Sequence, residues 1–149
     1  MTEDTTQDAR RLDHGYVLDD QVGFLLRKAW QRNTVIFTEK MATGLTPTQF
    51  SVMYRLSEVG SVSQNQLGRS VAMDGATTKG VVDRLIARGL LTTRPDPDDR
   101  RRHLVSLTDA GWEVFEASVM IAHEVTADTL SALTAAEQRT LVRLLAKIQ

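Results

Sequence analysis

The sequence predicts a mainly α-helical fold with one small β-hairpin. Apolar residues recur at spacings of three and four along most of the chain, which is the period of an amphipathic helix. The segments TPTQ, SQNQ and TAAE begin with Ser or Thr and end with Gln or Glu, the pattern of a capping box at a helix start. In residues 90–108 the period changes, and two short β-prone segments flank a turn sequence. The length of 149 residues suits one domain with a real core.

The first long helix is expected over residues 19–41, after a polar and acidic arm at residues 1–18. Apolar residues between Leu18 and Phe37 recur at the helical spacing and form one face. Asn33 is a polar residue inside that apolar arc. Gly44 is expected to end the helix, because glycine readily adopts the left-handed conformation that follows helix C-termini.

Three shorter helices are expected over residues 47–58, 64–71 and 75–88, and two further helices over residues 109–131 and 135–148. Their expected N-caps are Thr46, Ser63, Asp74, Thr108 and Thr134. The predicted order is therefore one helix, three short helices, a hairpin and two helices.

Two short helices joined by a tight turn and followed by a hairpin describe a winged helix-turn-helix, whose second helix enters the major groove of DNA. That helix is expected at residues 75–88. Its spacing predicts that Thr78, Val81, Val82 and Leu85 face the core. The outward positions hold small and hydrogen-bonding residues with one lysine, a set that suits base edges and phosphates.

The two short helices supply most of the expected DNA contacts. These contacts are Gln64, Asn65, Ala76, Thr77, Lys79, Gly80 and Arg84. A threonine hydroxyl can donate or accept, its methyl group can touch thymine, and a lysine can reach guanine or phosphate. Gly80 costs about 1 kcal/mol in a helix, and close approach of the backbone to DNA is a reason to keep it. The alternative is an ordinary amphipathic helix with a solvated face.

The hairpin tip, PDPDDRRR, concentrates charge in a chain whose formal net charge is −1. Arg100, Arg101 and Arg102 are expected to reach phosphate and the minor groove, which attracts inserted arginine. Asp98 or Asp99 is expected to hold one guanidinium by a two-point contact. The alternative is a charge run that is merely solvated, as in many surface loops.

Other classes of function lack support in the sequence. No glycine-rich phosphate loop, nucleophile elbow or paired-carboxylate pattern is present, and the 3 histidines lack metal-ligand spacing. The absence of cysteine excludes disulfides and cysteine-ligated metals. No apolar run is long enough to span a membrane, and the polar N-terminus lacks the apolar region of a secretory signal. We therefore expect a cytoplasmic protein that is not an enzyme and has no metal, cofactor or membrane partner.

The stretches LTPTQFSVMYRL, SQNQLGRSVAMDGATTKGVVDRLIARG and DDRRRHLVSLT resemble MarR-family transcriptional regulators, and the resemblance covers almost the whole chain. It implies a homodimer on double-stranded DNA, in which two recognition helices read a pseudo-palindrome. The implied DNA-binding lobe is residues 46–108, and the implied dimerisation helices are residues 19–45 and 109–149. In the family, an Asp and an Arg of the wing act together, and the matching residues here are Asp99 and Arg101, with Arg100 as a near alternative to Arg101.

The segment LDDQVGFLLRKAWQRN resembles the first helix of MarR-family repressors of aromatic-acid catabolism, of the hydroxynicotinic and protocatechuic acid type. The resemblance implies a repressor released by a small aromatic acid, whose carboxylate Arg27 holds. Those repressors often carry a histidine six residues later, where this chain has Asn33. The expected ligand-binding residues are Arg27, Trp30, Asn33, Phe50, Met53 and Tyr54. The alternative places the aromatic side chains and Met53 in the core, and Arg27 in an ion pair.

Two other interpretations stay open. One is a transcriptional regulator that binds DNA without responding to a small molecule. The other is a winged-helix module that binds proteins and has lost its DNA contact; Lys79, Arg84 and the arginines of the wing argue against it.

Overall fold

The computed structural model describes residues 14–149, in which six α-helices and three β-strands follow a short 3-10 turn. The helices are α1 (Val22–Lys40), α2 (Pro47–Val59), α3 (Gln64–Ser70), α4 (Gly75–Ala87), α5 (Asp109–Thr129) and α6 (Ala135–Lys147). The strands are β1 (Ser61–Ser63), β2 (Leu91–Pro95) and β3 (His103–Leu107). The prediction of a mainly α-helical winged helix-turn-helix is confirmed. Residues 1–13 of the predicted N-terminal arm lie outside the described residues.

The chain divides into two units, residues 1–32 and residues 33–149. The described part of the first unit holds the 3-10 turn at Leu18–Asp20 and the start of α1. Helix α1 begins later than predicted, because Gln21 has an extended backbone, with φ −82° and ψ 134°, directly after the turn. At its other end, Gly44 lies in the turn after α1 with φ 75°, the left-handed conformation expected of it.

The sheet has the order β1-β3-β2 and is antiparallel throughout. Strands β2 and β3 form the predicted hairpin, in which Leu91 pairs with Leu107 and Pro95 with His103. The prediction of a two-stranded element was incomplete, because β1 adds a third strand along β3. A segment as short as SVS carries no alternation of its own, so its pairing depends on the exposed edge of β3.

The predicted helix caps are present. Thr46 forms a full capping box, in which its hydroxyl accepts from Gln49 N at 3.2 Å and Gln49 Oε1 accepts from Thr46 N at 3.1 Å. Thr134 forms the second full box. Ser63 caps α3 but does not complete a box, because its hydroxyl donates to Gln66 Oε1 while its backbone belongs to β1.

Two glycines allow neighbouring elements of the second unit to pack closely. A Cβ atom on Gly68 of α3 would lie 2.7 Å from Thr78 Oγ1 of α4, a distance that real Cβ atoms do not reach. A Cβ atom on Gly111 would overlap the carbonyl oxygen of Leu90, so α5 can only start beside β2 with glycine there. These contacts set the positions of α4 and the hairpin relative to the core.

In the second unit, the last part of α1 is joined to α5 by polar contacts. Asn33 Nδ2 donates to Thr129 Oγ1 at 3.0 Å, and Lys40 Nζ lies 3.0 Å from Asp128 Oδ2. Helix α6 has no buried residue. Among the described residues, no helix is long and apolar enough to cross a membrane.

Candidate nucleic-acid interface

Helix α4 is the second helix of the helix-turn-helix, and its start is fixed by Asp74. Asp74 Oδ1 accepts from Thr77 N at 2.7 Å. This bond from the Thr77 backbone, together with one from the Thr77 side chain, lowers the pKa of the Asp74 carboxyl below its ordinary value. The capped, negatively charged start matches the positive end of the helix dipole.

The predicted orientation of α4 is confirmed. Thr78, Val81, Val82 and Leu85 are all buried, and Thr78 and Leu85 have no exposed surface. The Thr78 hydroxyl donates to the carbonyl oxygen of Asp74 at 2.7 Å, which satisfies it inside the core. The helix therefore turns its remaining residues away from the core.

The outward face of α4 carries the residues expected to contact DNA. Ala76, Thr77, Lys79 and Arg84 are exposed, and Gly80 is half-buried. A Cβ atom on Gly80 would meet only Arg84 Nη1, at the ordinary contact distance of 3.7 Å. Packing inside the chain therefore does not require glycine at this position, in contrast to Gly68.

An ion pair lies on the same face. Lys79 Nζ is 2.7 Å from Asp83 Oδ2, and both side chains are more than half exposed. This pair was not predicted from the sequence, although a spacing of four residues on a helix indicates it. Asp83 thus partly neutralises the single lysine of α4.

The first helix of the pair and the turn after it complete this surface. At the start of α3, Asn65 is exposed and Gln64 is half-buried. The turn between α3 and α4 contains Ala72 with φ 55°, a left-handed conformation that glycine adopts at lower cost.

The wing contains an ion pair that differs from the expected one. Arg102 donates from Nε and Nη2 to Asp96 Oδ2, at 3.0 and 2.9 Å. The prediction that Asp98 or Asp99 holds a guanidinium was wrong, because the antiparallel pairing of β2 and β3 brings Asp96 and Arg102 opposite each other. The prolines on either side of Asp96 indicate a bend before the turn. Which residue pairs with Asp96, however, depends on the folded hairpin.

Asp99 has another role in the turn. Its Oδ1 accepts from the backbone N–H of Arg101 at 3.0 Å, so it shapes the loop and does not hold a guanidinium. Arg100 and Arg101 are exposed, and within residues 14–149 their guanidinium groups make no ion pair. The tip therefore presents two arginines to solvent.

The residues expected to bind a ligand fall in both units. In the first unit, Arg27 is exposed and Trp30 is 57% exposed. In the second unit, Asn33 is engaged by Thr129, and Met53 is fully buried in the core, where it offers no surface to a ligand.

Phe50 and Tyr54 of α2 belong to an aromatic cluster in the second unit. Their ring centroids lie 6.0 and 6.1 Å from that of Phe115, which is buried. Both residues also border an open groove of about 520 Å³, which Arg55 lines as well. Arg55 is already engaged, by Glu58 at 2.9 Å and by the Ser70 carbonyl oxygen at 3.2 Å. In the described part of the chain, no group of three potential ligand side chains lies close enough to hold a metal ion.

Comparison with known proteins identifies this arrangement. A model of the MarR family matches residues 43–102, which include the helix-turn-helix and the wing. The HTH-type transcriptional repressor NicR of Pseudomonas putida is 38% identical over 150 aligned residues, covering 99% of this chain and 95% of the repressor.

Two solved structures share the fold. One is Bordetella bronchiseptica BpsR, whose DNA binding is regulated by 6-hydroxynicotinic acid. It has 40% sequence identity to this chain and a TM-score of 0.85, and the match covers 89% of this chain and 96% of BpsR. The other is a mutant MarR from E. coli complexed with operator DNA, with 26% identity and a TM-score of 0.80, covering 85% of this chain and 92% of that one. These relatives are regulators and not enzymes. The chain belongs to the MarR family of transcriptional regulators.

Proposed function

We propose that this protein is a homodimeric repressor that binds a pseudo-palindromic operator and is released by a small aromatic carboxylate. The observation that carries the DNA-binding part is the outward face of α4. There Thr77, Lys79 and Gly80 are turned away from a core that the opposite face of the helix fills. Small and hydrogen-bonding side chains with one cation suit base edges and phosphates in the major groove.

The wing supports the same proposal. Arg100 and Arg101 are exposed at a hairpin tip, where an arginine can enter a narrow minor groove. Strand β2 packs against α4, so both elements belong to one packed lobe. Major-groove and minor-groove contacts made by one lobe fix its register on the duplex.

Dimerisation is supported by uncovered apolar surface. Helix α6 has no buried residue: Val142 and Leu144 in the helix, and Ile148 directly after it, are 57, 47 and 64% exposed. In α1, Val22 and Leu25 are 66 and 50% exposed. A soluble monomer rarely leaves such faces in water, and a two-fold dimer buries the same face of both copies. Two recognition helices would then lie one DNA turn apart, roughly 34–36 Å.

The effector part of the proposal rests on similarity and on two side chains of α1. DNA binding by the similar BpsR is regulated by 6-hydroxynicotinic acid. In this chain, Arg27 and Trp30 are exposed on α1, and a guanidinium and an indole ring suit a carboxylate and an aromatic ring. Release is a population shift, in which the ligand favours lobe spacings that do not fit consecutive major grooves.

The test is capture of sheared genomic DNA by the purified protein, with sequencing of the bound fragments. The capture is repeated with 6-hydroxynicotinic, protocatechuic, salicylic and benzoic acids, each supplied separately. Enrichment of one short palindrome that one acid abolishes supports the whole proposal. Enrichment that no acid changes leaves a regulator without an aromatic effector. A flat profile contradicts DNA binding and favours a protein-interaction module.

A further inference from the structure

We propose that Asp96 and Arg102 form a clasp that closes the wing and directs Arg100 and Arg101 outward, so that Arg102 is a positioning residue and not a DNA contact. This inference deepens the proposed DNA binding and, for its effect on affinity, rests on it. It divides three adjacent arginines into one that orders the loop and two that face the nucleic acid.

Both carboxylate oxygens of Asp96 accept bonds from the loop. Its Oδ2 accepts two bonds from the Arg102 guanidinium, at 3.0 Å from Nε and 2.9 Å from Nη2. Its Oδ1 accepts from the backbone N–H of Asp98 at 2.9 Å. One carboxylate therefore holds both the outgoing and the returning part of the loop.

The backbone closes the loop at the same two residues. Asp96 N donates to the carbonyl oxygen of Arg102 at 2.8 Å, and Arg102 N donates to the carbonyl oxygen of Asp99 at 2.9 Å. Backbone and side-chain bonds thus join Asp96 to Arg102 in parallel. The five residues between them, residues 97–101, form the tip.

The ion pair between Asp96 and Arg102 matters because Asp96 is buried. Asp96 is 5% exposed, although it lies in a charged surface loop. A buried carboxylate is costly unless it is paired and hydrogen-bonded. The N–H of Asp98 and then the Arg102 guanidinium keep the pKa of Asp96 below its ordinary value, so the carboxylate is charged at neutral pH. Loss of this charge weakens the charge-assisted bonds from Arg102 that order the tip.

The other acidic residues of the loop do not duplicate the clasp. In the part of the chain that the structure describes, the Asp99 side chain accepts only from the backbone N–H of Arg101, and the exposed Asp98 side chain accepts no hydrogen bond. Asp98→Asn therefore makes the same change of charge as Asp96→Asn without touching the clasp. It is the matched control for every measurement below.

The first measurement needs no DNA. Trypsin cleaves after Arg100 and Arg101, and neither Asp96→Asn nor Asp98→Asn alters these sites. We expect cleavage at the tip to be about tenfold faster in Asp96→Asn and unchanged in Asp98→Asn, because cleavage follows local opening of the loop. Equal cleavage rates in the wild type and Asp96→Asn overturn the clasp. A matching thermal melt separates opening of the wing from loss of the whole fold.

The second measurement uses a duplex that the wild-type protein selects from a random-sequence library. We expect Asp96→Asn to bind it about fivefold to tenfold more weakly, and Asp98→Asn to bind it as well as the wild type or better. If Arg102 instead contacts DNA, removal of the Asp96 charge frees it and affinity rises. An increase in Asp96→Asn therefore overturns the proposal.

The third measurement asks whether the clasp acts through the tip. In an Arg100→Gln, Arg101→Gln background, Asp96→Asn should cause no further loss of affinity, because the arginines that it positions are gone. A full further loss in that background means that the pair supports the fold in general, which overturns its positioning role. Arg102→Gln should weaken binding in the wild type and have no further effect in the Asp96→Asn background.

The two proposals fail in different ways. If the wild-type protein selects no duplex, DNA binding falls together with the positioning role, whereas the trypsin comparison still decides whether the clasp orders the wing. If the wild type selects a duplex and Asp96→Asn binds it unchanged, the proposed function stands and the positioning role is overturned.

Discussion

Lys79 Nζ lies 2.7 Å from Asp83 Oδ2, one helical turn further along the exposed face of α4. The lysine proposed to meet DNA is therefore held by a carboxylate that DNA must displace or accommodate. Such a carboxylate repels phosphate, so it opposes binding to any sequence that does not compensate for it.

Replacement of this carboxylate should loosen specificity. We expect Asp83→Asn to raise affinity for random-sequence DNA by about threefold to tenfold. The slope of log affinity against log salt concentration should become steeper by about one released counterion. The measurement is a fluorescence anisotropy titration of random and selected duplexes at several salt concentrations. Glu116→Gln on α5 makes the same change of charge on another helix and should leave both affinities unchanged. A drop in non-specific affinity in Asp83→Asn contradicts the prediction.

Substitutions at two glycines should distinguish an effect on folding stability from an effect on DNA binding. Gly80→Ala should raise the free energy of unfolding by up to about 1 kcal/mol, because alanine favours the helix and the site has room for a Cβ atom. It should nevertheless weaken binding to the selected duplex at least tenfold, since the backbone is proposed to approach DNA there (~1.4 kcal/mol).

Gly68→Ala is the contrasting variant. Its Cβ atom would lie 2.7 Å from Thr78 Oγ1, so the free energy of unfolding should fall by about 1–3 kcal/mol through overpacking. Urea unfolding and anisotropy on the same samples give both quantities. Unchanged DNA affinity in Gly80→Ala would show that DNA does not approach this part of the backbone.

Thr77 should govern base preference. Its side chain is exposed on α4 near the N-terminus of the helix, where recognition helices contact base edges. We expect Thr77→Ala to change which bases are preferred more than it changes overall affinity, as read from selection out of a random library. Thr77→Ser retains the hydroxyl, so a preference that depends on the hydroxyl survives in it. A uniform loss of affinity across sequences would make Thr77 a phosphate contact.

Effector release should depend on Arg27. Arg27→Ala is expected to leave binding to the selected duplex intact and to abolish release by the aromatic acid that releases the wild type. The reason is that a guanidinium holds a carboxylate by charge-assisted bonds. The neighbouring Lys28 is exposed too, and Lys28→Ala controls for the loss of one positive charge from α1. Continued release in Arg27→Ala places the carboxylate elsewhere.

Stability should fall in acid through the cap of α4. The pKa of Asp74 is lower in the folded protein than its ordinary value of 3.8, because Thr77 donates to the charged carboxylate. The resulting stabilisation is fully present above about pH 3.8 and is lost as the pH falls through the lower, folded pKa. Urea unfolding between neutral pH and pH 3 should show this loss. Asp74→Asn keeps a capping side chain and should show a smaller decrease, whereas an identical decrease would remove Asp74 as a contributor.

The pattern of residues along the chain determined the local structure. Thr46 and Thr134 cap their helices as predicted, since a capping box is built from four consecutive residues and needs no distant partner. The burial of Thr78, Val81 and Leu85 also followed from the helical period alone. The outward face of α4, with five of the eleven candidate DNA contacts, was therefore predictable from the sequence.

Only the tertiary structure decided which distant groups meet. Strand β1 exists because β3 presents an edge to it, and the partner of Arg102 became Asp96 because β2 and β3 pair in one register. Both contacts join residues whose separation carries no periodic signal. The sequence by itself determined a winged helix-turn-helix with a basic wing, since helix period, caps and turns are local. Which arginine orders the wing and which two face outward depended on hairpin register and on burial of Asp96, which exist only in the folded chain.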